Sequence, residues 1–223
     1  MNERLLLEAL IKFISGVIIL GLLLFLPAWT IFWVNAWIFM ALLFIPMFLA
    51  LILMYFKEPE LLKNRLKSKE NQTEQKNVII YSAVMFLAAF IIAGLNYNFK
   101  WVELPKFFVI LGIVVFILSY LMFGEVLREN KYLSRTVEVQ EGQNVVDTGL
   151  YGIIRHPMYS STVFLFLSMP LILGSPLSFL IMIFYIPIIV KRIENEEMVL
   201  EKELNGYKNY KEKVKYKIIP YIW

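Results

Sequence analysis

Residues 158–190 read MYSSTVFLFLSMPLILGSPLSFLIMIFYIPIIV, and no side chain in that run carries a charge. A transmembrane helix takes about 20 residues, so the run is too long for one span and short for two. Pro170, Gly174, Ser175 and Pro176 interrupt it. This pattern predicts a helical hairpin, about Met158–Leu173 and Pro176–Val190, with a Gly-Ser-Pro turn at its tip. Pro187 is expected to kink or thin the last helix. Backbone polar groups in lipid must be paired within their own segment, which selects helices over strands.

Upstream lie four further apolar runs of spanning length. Ala9–Leu26 holds one charge, Lys12, and Ile31–Phe56, Val78–Leu95 and Phe107–Gly124 hold none. Acids at Glu3 and Glu8, with no small-residue cleavage site after the apolar run, argue against a cleaved signal peptide. With six spans, Lys and Arg divide 20 to 2 between the two sides. The rich side takes 2 from the N-terminus, 6 from 57–77, 4 from 125–157 and 8 from the tail. The positive-inside rule then puts both termini in the cytoplasm. A single span at 158–190 would strand the eight tail charges outside. The expectation is an all-α, polytopic membrane helix bundle of about six spans, four long helices plus the hairpin, with a water-facing lid.

Composition agrees. The chain has 223 residues, 59% hydrophobic and 18% charged, where soluble domains run to roughly 45–50% and about 25%. The absence of Cys excludes disulfides, thiolate metal sites and Cys nucleophiles. One His argues against a zinc site. The net charge of +4 is placed by membrane orientation rather than for nucleic acid. No P-loop, GxGxxG or metal motif occurs.

Polar complexity falls in three pieces. Lys57–Asn77 is a mixed-charge segment with no obvious chemistry, read as a solvated connection or an interfacial helix whose Leu61, Leu62 and Leu66 lie against headgroups. The second piece, Glu125–Tyr159, ends in VVDTGLYGIIRHPMY. Its glycines allow tight turns or close approach to a ligand. Pro157 suits the first turn of a helix. The run reads as a structured loop delivering Arg155, His156 and Tyr159 to the mouth of the bundle, although Arg and Tyr before a span are also ordinary interface anchors. The third piece, Lys191–Trp223, continues the last span as a polar helix. Arg192 and Glu196 share a face there, as a site or as a surface pair. Leu200, Leu204 and Tyr207 form a stripe for the membrane or for the second piece, and Ile218–Trp223 reads as an interfacial anchor.

Taken in order, G-L-Y-x-x-x-R-H-P-x-Y (Gly149–Tyr159), the uncharged hairpin, R-x-x-x-E-E-x-x-L (Arg192, Glu196, Glu197, Leu200) and Y-x-x-Y (Tyr207, Tyr210) resemble the isoprenylcysteine carboxyl methyltransferase and phospholipid methyltransferase superfamily of integral membrane enzymes. The resemblance covers about the last 85 residues. It departs from the family at Ser161, where Gly is frequent, and at Leu204-Asn205-Gly206 before Y-x-x-Y.

The resemblance implies a catalytic region at 125–223 behind N-terminal helices at 1–124. It implies S-adenosylmethionine as methyl donor and a lipophilic acceptor drawn from the bilayer: an isoprenoid or prenylcysteine-like carboxylate, a lipid, or a small hydrophobic thiol. Cofactor contacts are expected from Gln143, Asn144, Val145, Val146, Tyr151, Arg155, His156, Pro157, Met158, Tyr159 and Glu196, with Gln140 a looser match. Arg192 is expected to face the acceptor, and Arg192 and Glu196 to carry catalysis. No metal is implied, because a sulfonium is already an activated donor, and no nucleic acid is expected as a partner. Tyr151 or Tyr159 would steady that cation. The short Lys/Ile-rich chain suggests a prokaryotic cell membrane. Two other readings stand beside this one: an NADPH-dependent membrane reductase of the sterol-reductase type, and a non-enzymatic membrane protein.

Overall fold

A computed structural model describes residues 3–66, 73–134 and 136–223. Among them the elements are helical: α1 (Glu3–Ala28), α2 (Val34–Lys57), α3 (Pro59–Leu66), α4 (Thr73–Phe99), α5 (Lys106–Glu129), α6 (Pro157–Ile172), α7 (Pro176–Met182), α8 (Tyr185–Glu203) and α9 (Tyr207–Lys213), with a 3-10 turn at Gly149–Gly152. Among the described residues five stretches are long and apolar enough to cross a membrane: α1, α2, Gln75–Phe99, α5 and the run Pro176–Glu203. The α6 helix is apolar but shorter. The chain is thus a polytopic helical membrane bundle. Ile18, Leu22, Leu118 and Leu121 are each at least half exposed on its flanks, a surface that only hydrocarbon can cover without penalty.

The first, third and fourth predicted spans lie inside α1, α4 and α5. The second starts at Val34 rather than at Ile31. Trp29 adopts a φ of 54°, and the Phe32 amide donates to Thr30 Oγ1 at 3.1 Å, so these residues turn the chain. Phe32 is 82% exposed, while Trp33 is buried and stacks on Tyr97 with ring centroids 4.8 Å apart. The apolarity of 31–33 serves this connection and not the span.

The hairpin forms as α6 against α7 and α8. Gly174 at its tip has a φ of 74°, Ser175 Oγ accepts from the Ser178 amide at 3.3 Å, and Pro176 opens α7. The kink expected from Pro187 takes the form of a break at 183–184, one turn earlier. Pro187 has no N–H for the Ile183 carbonyl, which accepts instead from the Ile186 amide at 3.0 Å.

At 1.5 Å per residue α6 is about 24 Å long, below the ~30 Å hydrocarbon thickness. It lies inside the bundle, with contacts to α2, α4, α5, α7 and α8, and Tyr159, Ser160, Ser161, Val163, Leu165, Ser168, Met169 and Ile172 are all buried. Its approach to α5 depends on Gly112, where a Cβ would stand 2.8 Å from Leu171 Cβ and 3.0 Å from the Ile172 amide nitrogen. Two of its hydroxyls are paired locally: Ser161 with the Met158 carbonyl and Ser168 with the Leu165 carbonyl, both at 2.7 Å.

Part of the Lys57–Asn77 segment is the short helix α3, and 67–72 lie outside the described residues. Its leucines face protein rather than headgroups. Leu61 packs with Val126, Leu133 and Tyr151, and Leu62 with Ala9, Leu51 and Tyr55. The α3 helix therefore braces the polar end of the bundle, where the loop 130–156, the end of α8 and the tail also gather.

Candidate functional site

The loop from α5 to α6 is built by its own polar side chains. Asn130 ends α5: its Oδ1 accepts from the Tyr132 amide and its Nδ2 donates to the Tyr151 hydroxyl, both at 3.0 Å. Glu129 accepts from the Leu150 amide at 3.0 Å. Its carboxylate occupies the place of a side chain at Gly149, where a Cβ would collide with it. Gly149 also has a φ of 52°, so glycine is required there twice over. The Tyr210 hydroxyl donates to the Tyr151 carbonyl at 2.7 Å, tying α9 to the 3-10 turn.

The C-terminal tail straps the Arg155-His156 pair in place. The Arg155 and His156 amides donate to the carbonyls of Tyr216 and Lys217 at 2.9 and 2.8 Å. Arg155 Nη1 donates to the Val214 and Lys215 carbonyls at 2.7 and 2.8 Å, and Ser160 Oγ donates to the Ile218 carbonyl. Ile218, Ile219 and Trp223 pack into the cluster of Tyr159, Tyr185 and Ile189. These residues dock on protein, while Tyr221 and Ile222 remain open at 87% and 76%.

Two neighbouring acids of α8 have different surroundings. Glu197 is enclosed, its carboxylate accepting from Arg155 Nε at 2.7 Å and His156 Nε2 at 3.1 Å, with Lys211 and Lys217 each 3.7 Å away. A carboxylate only accepts, so His156 carries a proton on Nε2. Glu196 is partly open and accepts from the Tyr159 hydroxyl. That hydroxyl in turn accepts from Arg192 Nε at 2.9 Å, and the Arg192 guanidinium lies 5.9 Å from the Tyr159 ring centre. The His156 and Tyr159 rings are near-parallel at 5.7 Å. One wall thus carries a cation, a phenol and an anion in series, joined across α6 and α8.

This wall borders a cavity with about 840 Å³ of atom-free space, counting its open mouth. Gln143, Asn144, Val145, Val146, Tyr151, Arg155, His156, Met158, Tyr159, Arg192 and Glu196 all line it, so the structure brings eleven of the expected site residues together. Two stand back. Gln140 spends its amide on the loop: Oε1 accepts from Asn64 Nδ2 at 3.1 Å and Nε2 donates to the Tyr132 carbonyl at 2.6 Å. Pro157 is the first residue of α6, set to start the helix. Arg155 borders the cavity, yet its guanidinium is bound to Glu197 and the tail.

Asn130, Tyr132, Thr136, Leu200, Tyr207 and Tyr210 also line the cavity, though no expectation from the sequence gives them a site role. The Y-x-x-Y motif was a signal for the last two. The segment 130–138 has no motif of its own, and only its position between a span and the Gly149–Tyr159 run could have marked it. Burial pushes the phenols of Tyr151, Tyr207 and Tyr210 up, so each stays a neutral donor at physiological pH. Among the described residues no group of His, Asp and Glu could hold a metal ion.

Residues 108–202 match the model of the isoprenylcysteine carboxyl methyltransferase family. The match supports a membrane methyltransferase family and bears out the resemblance carried by the Gly149–Tyr159 and Arg192–Leu200 motifs. It spans α6 to α8 and most of α5, and stops short of α9 and the strap. A comparison with curated proteins gives no match.

Proposed function

We propose that this chain is a membrane-embedded methyltransferase that uses S-adenosylmethionine and acts on a lipophilic acceptor at the cytoplasmic face. The single observation that carries the reading is the meeting of Arg192, Tyr159 and Glu196 on one cavity wall inside the segment similar to the methyltransferase family.

The cavity suits the cofactor chemically. It offers a carboxylate in Glu196, aromatic faces in His156, Tyr151 and Tyr159, and apolar surface in Val145, Val146 and Leu200. A nucleoside with a positively charged sulfur needs those three kinds of contact. When bound, S-adenosylmethionine would supply a methyl group already activated on a sulfonium.

The protein's part is positioning. Gln143, Asn144, Val145 and Val146 would hold the adenosine side, and His156, Met158 and Tyr159 the body of the cofactor. Glu196 would accept from a hydroxyl or ammonium group. Arg192 would orient an acceptor carboxylate or another electron-rich group by charge-assisted hydrogen bonds. Holding two reactants in register can remove roughly 7–11 kcal/mol of barrier. Tyr159, bonded to both Arg192 and Glu196, would couple the two subsites. The 20-to-2 division of basic residues supports a cytoplasmic mouth, where a polar cofactor arrives from water and the acceptor from lipid.

Arg192→Ala and Glu196→Ala should each abolish transfer of labelled methyl from S-adenosylmethionine into a total lipid extract, while the purified variants stay monodisperse and helical. Full activity in both would refute the site. Saturable binding of NADPH, without binding of S-adenosylmethionine, would favour a reductase.

A further inference from the structure

We infer that the Tyr207 hydroxyl is a further ligand contact, donating a hydrogen bond to a neutral hydroxyl group of the bound adenosyl cofactor. The inference rests on the methyltransferase reading and extends its cofactor site to α9, beyond the segment that matches the family.

Five tyrosines line the cavity: Tyr132, Tyr151, Tyr159, Tyr207 and Tyr210. Four have partners for their hydroxyls. Tyr132 donates to the Gly142 carbonyl, Tyr151 accepts from Asn130, Tyr159 donates to Glu196 and Tyr210 donates to the Tyr151 carbonyl. The Tyr207 side chain is 96% enclosed, with a relative exposure of 4%, and its hydroxyl has no hydrogen-bond partner. A phenol kept from water without a partner is disfavoured, and native proteins seldom leave one so. Its ring is held firmly, packed with Leu204, Tyr210 and Val214 and against Val145. Swinging out to solvent would break that cluster. Tyr207 also lines the cavity, so a group bound there meets the deficit once a small shift opens the hydroxyl to it.

The surroundings select what arrives. Burial and the neighbouring Glu197 and Glu196 carboxylates push the Tyr207 phenol up, so it remains protonated and donates. The nearby Glu196 carboxylate can accept a hydrogen bond in turn. A neutral hydroxyl meets both demands, since it accepts from Tyr207 and can donate to a carboxylate. The sugar of an adenosyl cofactor carries such hydroxyls.

The test is titration of purified full-length protein in lipid nanodiscs with S-adenosylhomocysteine, the demethylated and unreactive form of the cofactor. Wild type and Tyr207→Phe are compared, with thermal unfolding of each measured without ligand. Tyr207→Phe should bind about tenfold more weakly, the loss expected for one neutral hydrogen bond. Its ligand-free Tm should not fall, because the hydroxyl removed has no partner in the protein. Equal affinity of the two proteins, or a ligand-free Tm that falls in the variant, would overturn the inference. No binding by wild type would overturn it together with the methyltransferase reading, so the two failures are told apart by the wild-type arm.

Discussion

At the residue scale, adjacent carboxylates do different work. Successive helical residues point about 100° apart, so Glu196 turns to the cavity and Glu197 into the protein. Glu197 holds Arg155 and His156, and its side chain is only 6% exposed. Glu197→Ala leaves the Arg155 guanidinium as an enclosed charge without its carboxylate. Breaking a buried pair from one side costs about 3–5 kcal/mol. Thermal unfolding in detergent should show a Tm lower by roughly 10 °C, with Glu196→Ala close to wild type. The reverse order would contradict the roles assigned here. The E-E pair was legible in the sequence as a motif, but its division of labour was not. Arg155 shows the same limit. Its place beside His156 suggested a ligand contact, whereas its guanidinium anchors a tail some 60 positions further along the chain.

At the element scale, the α5–α6 contact sets where the site stands. Both the loop 130–156 and the start of α6 hang from it. Gly112 has no room for a Cβ, whereas at Gly124 on the same helix nothing lies within 4 Å of one. Gly112→Val should force the helices apart, at about 1–3 kcal/mol for an overpacked contact. Gly124→Ala should be neutral. Unfolding midpoints of the two variants check this, and an unchanged Gly112→Val would show that the contact is soft. The hairpin was legible because Gly, Ser and Pro punctuate an otherwise uncharged run. The inward face of α3 was not, because its leucines are few and spaced as well for a membrane surface as for a protein one. What decided it was tertiary: Val126 and Tyr151 on one side, Ala9 and Tyr55 on the other.

At the scale of the whole molecule, apolar composition and one-sided charge were enough for a polytopic bundle, and the order of short motifs placed the site at its polar end. The sequence could not disclose that separate stretches close around one cavity. The loop after α5, the start of α6, the end of α8 and α9 all contribute side chains to it. Chain order alone does not say which of them meet. Photolabelling with S-adenosylmethionine carrying a tritiated methyl group, followed by peptide mapping, tests the cavity most directly. The account predicts label on peptides from 130–159 and 192–210, suppressed by excess S-adenosylhomocysteine. Label confined to α1 and α2, or label that the competitor leaves unchanged, would contradict it.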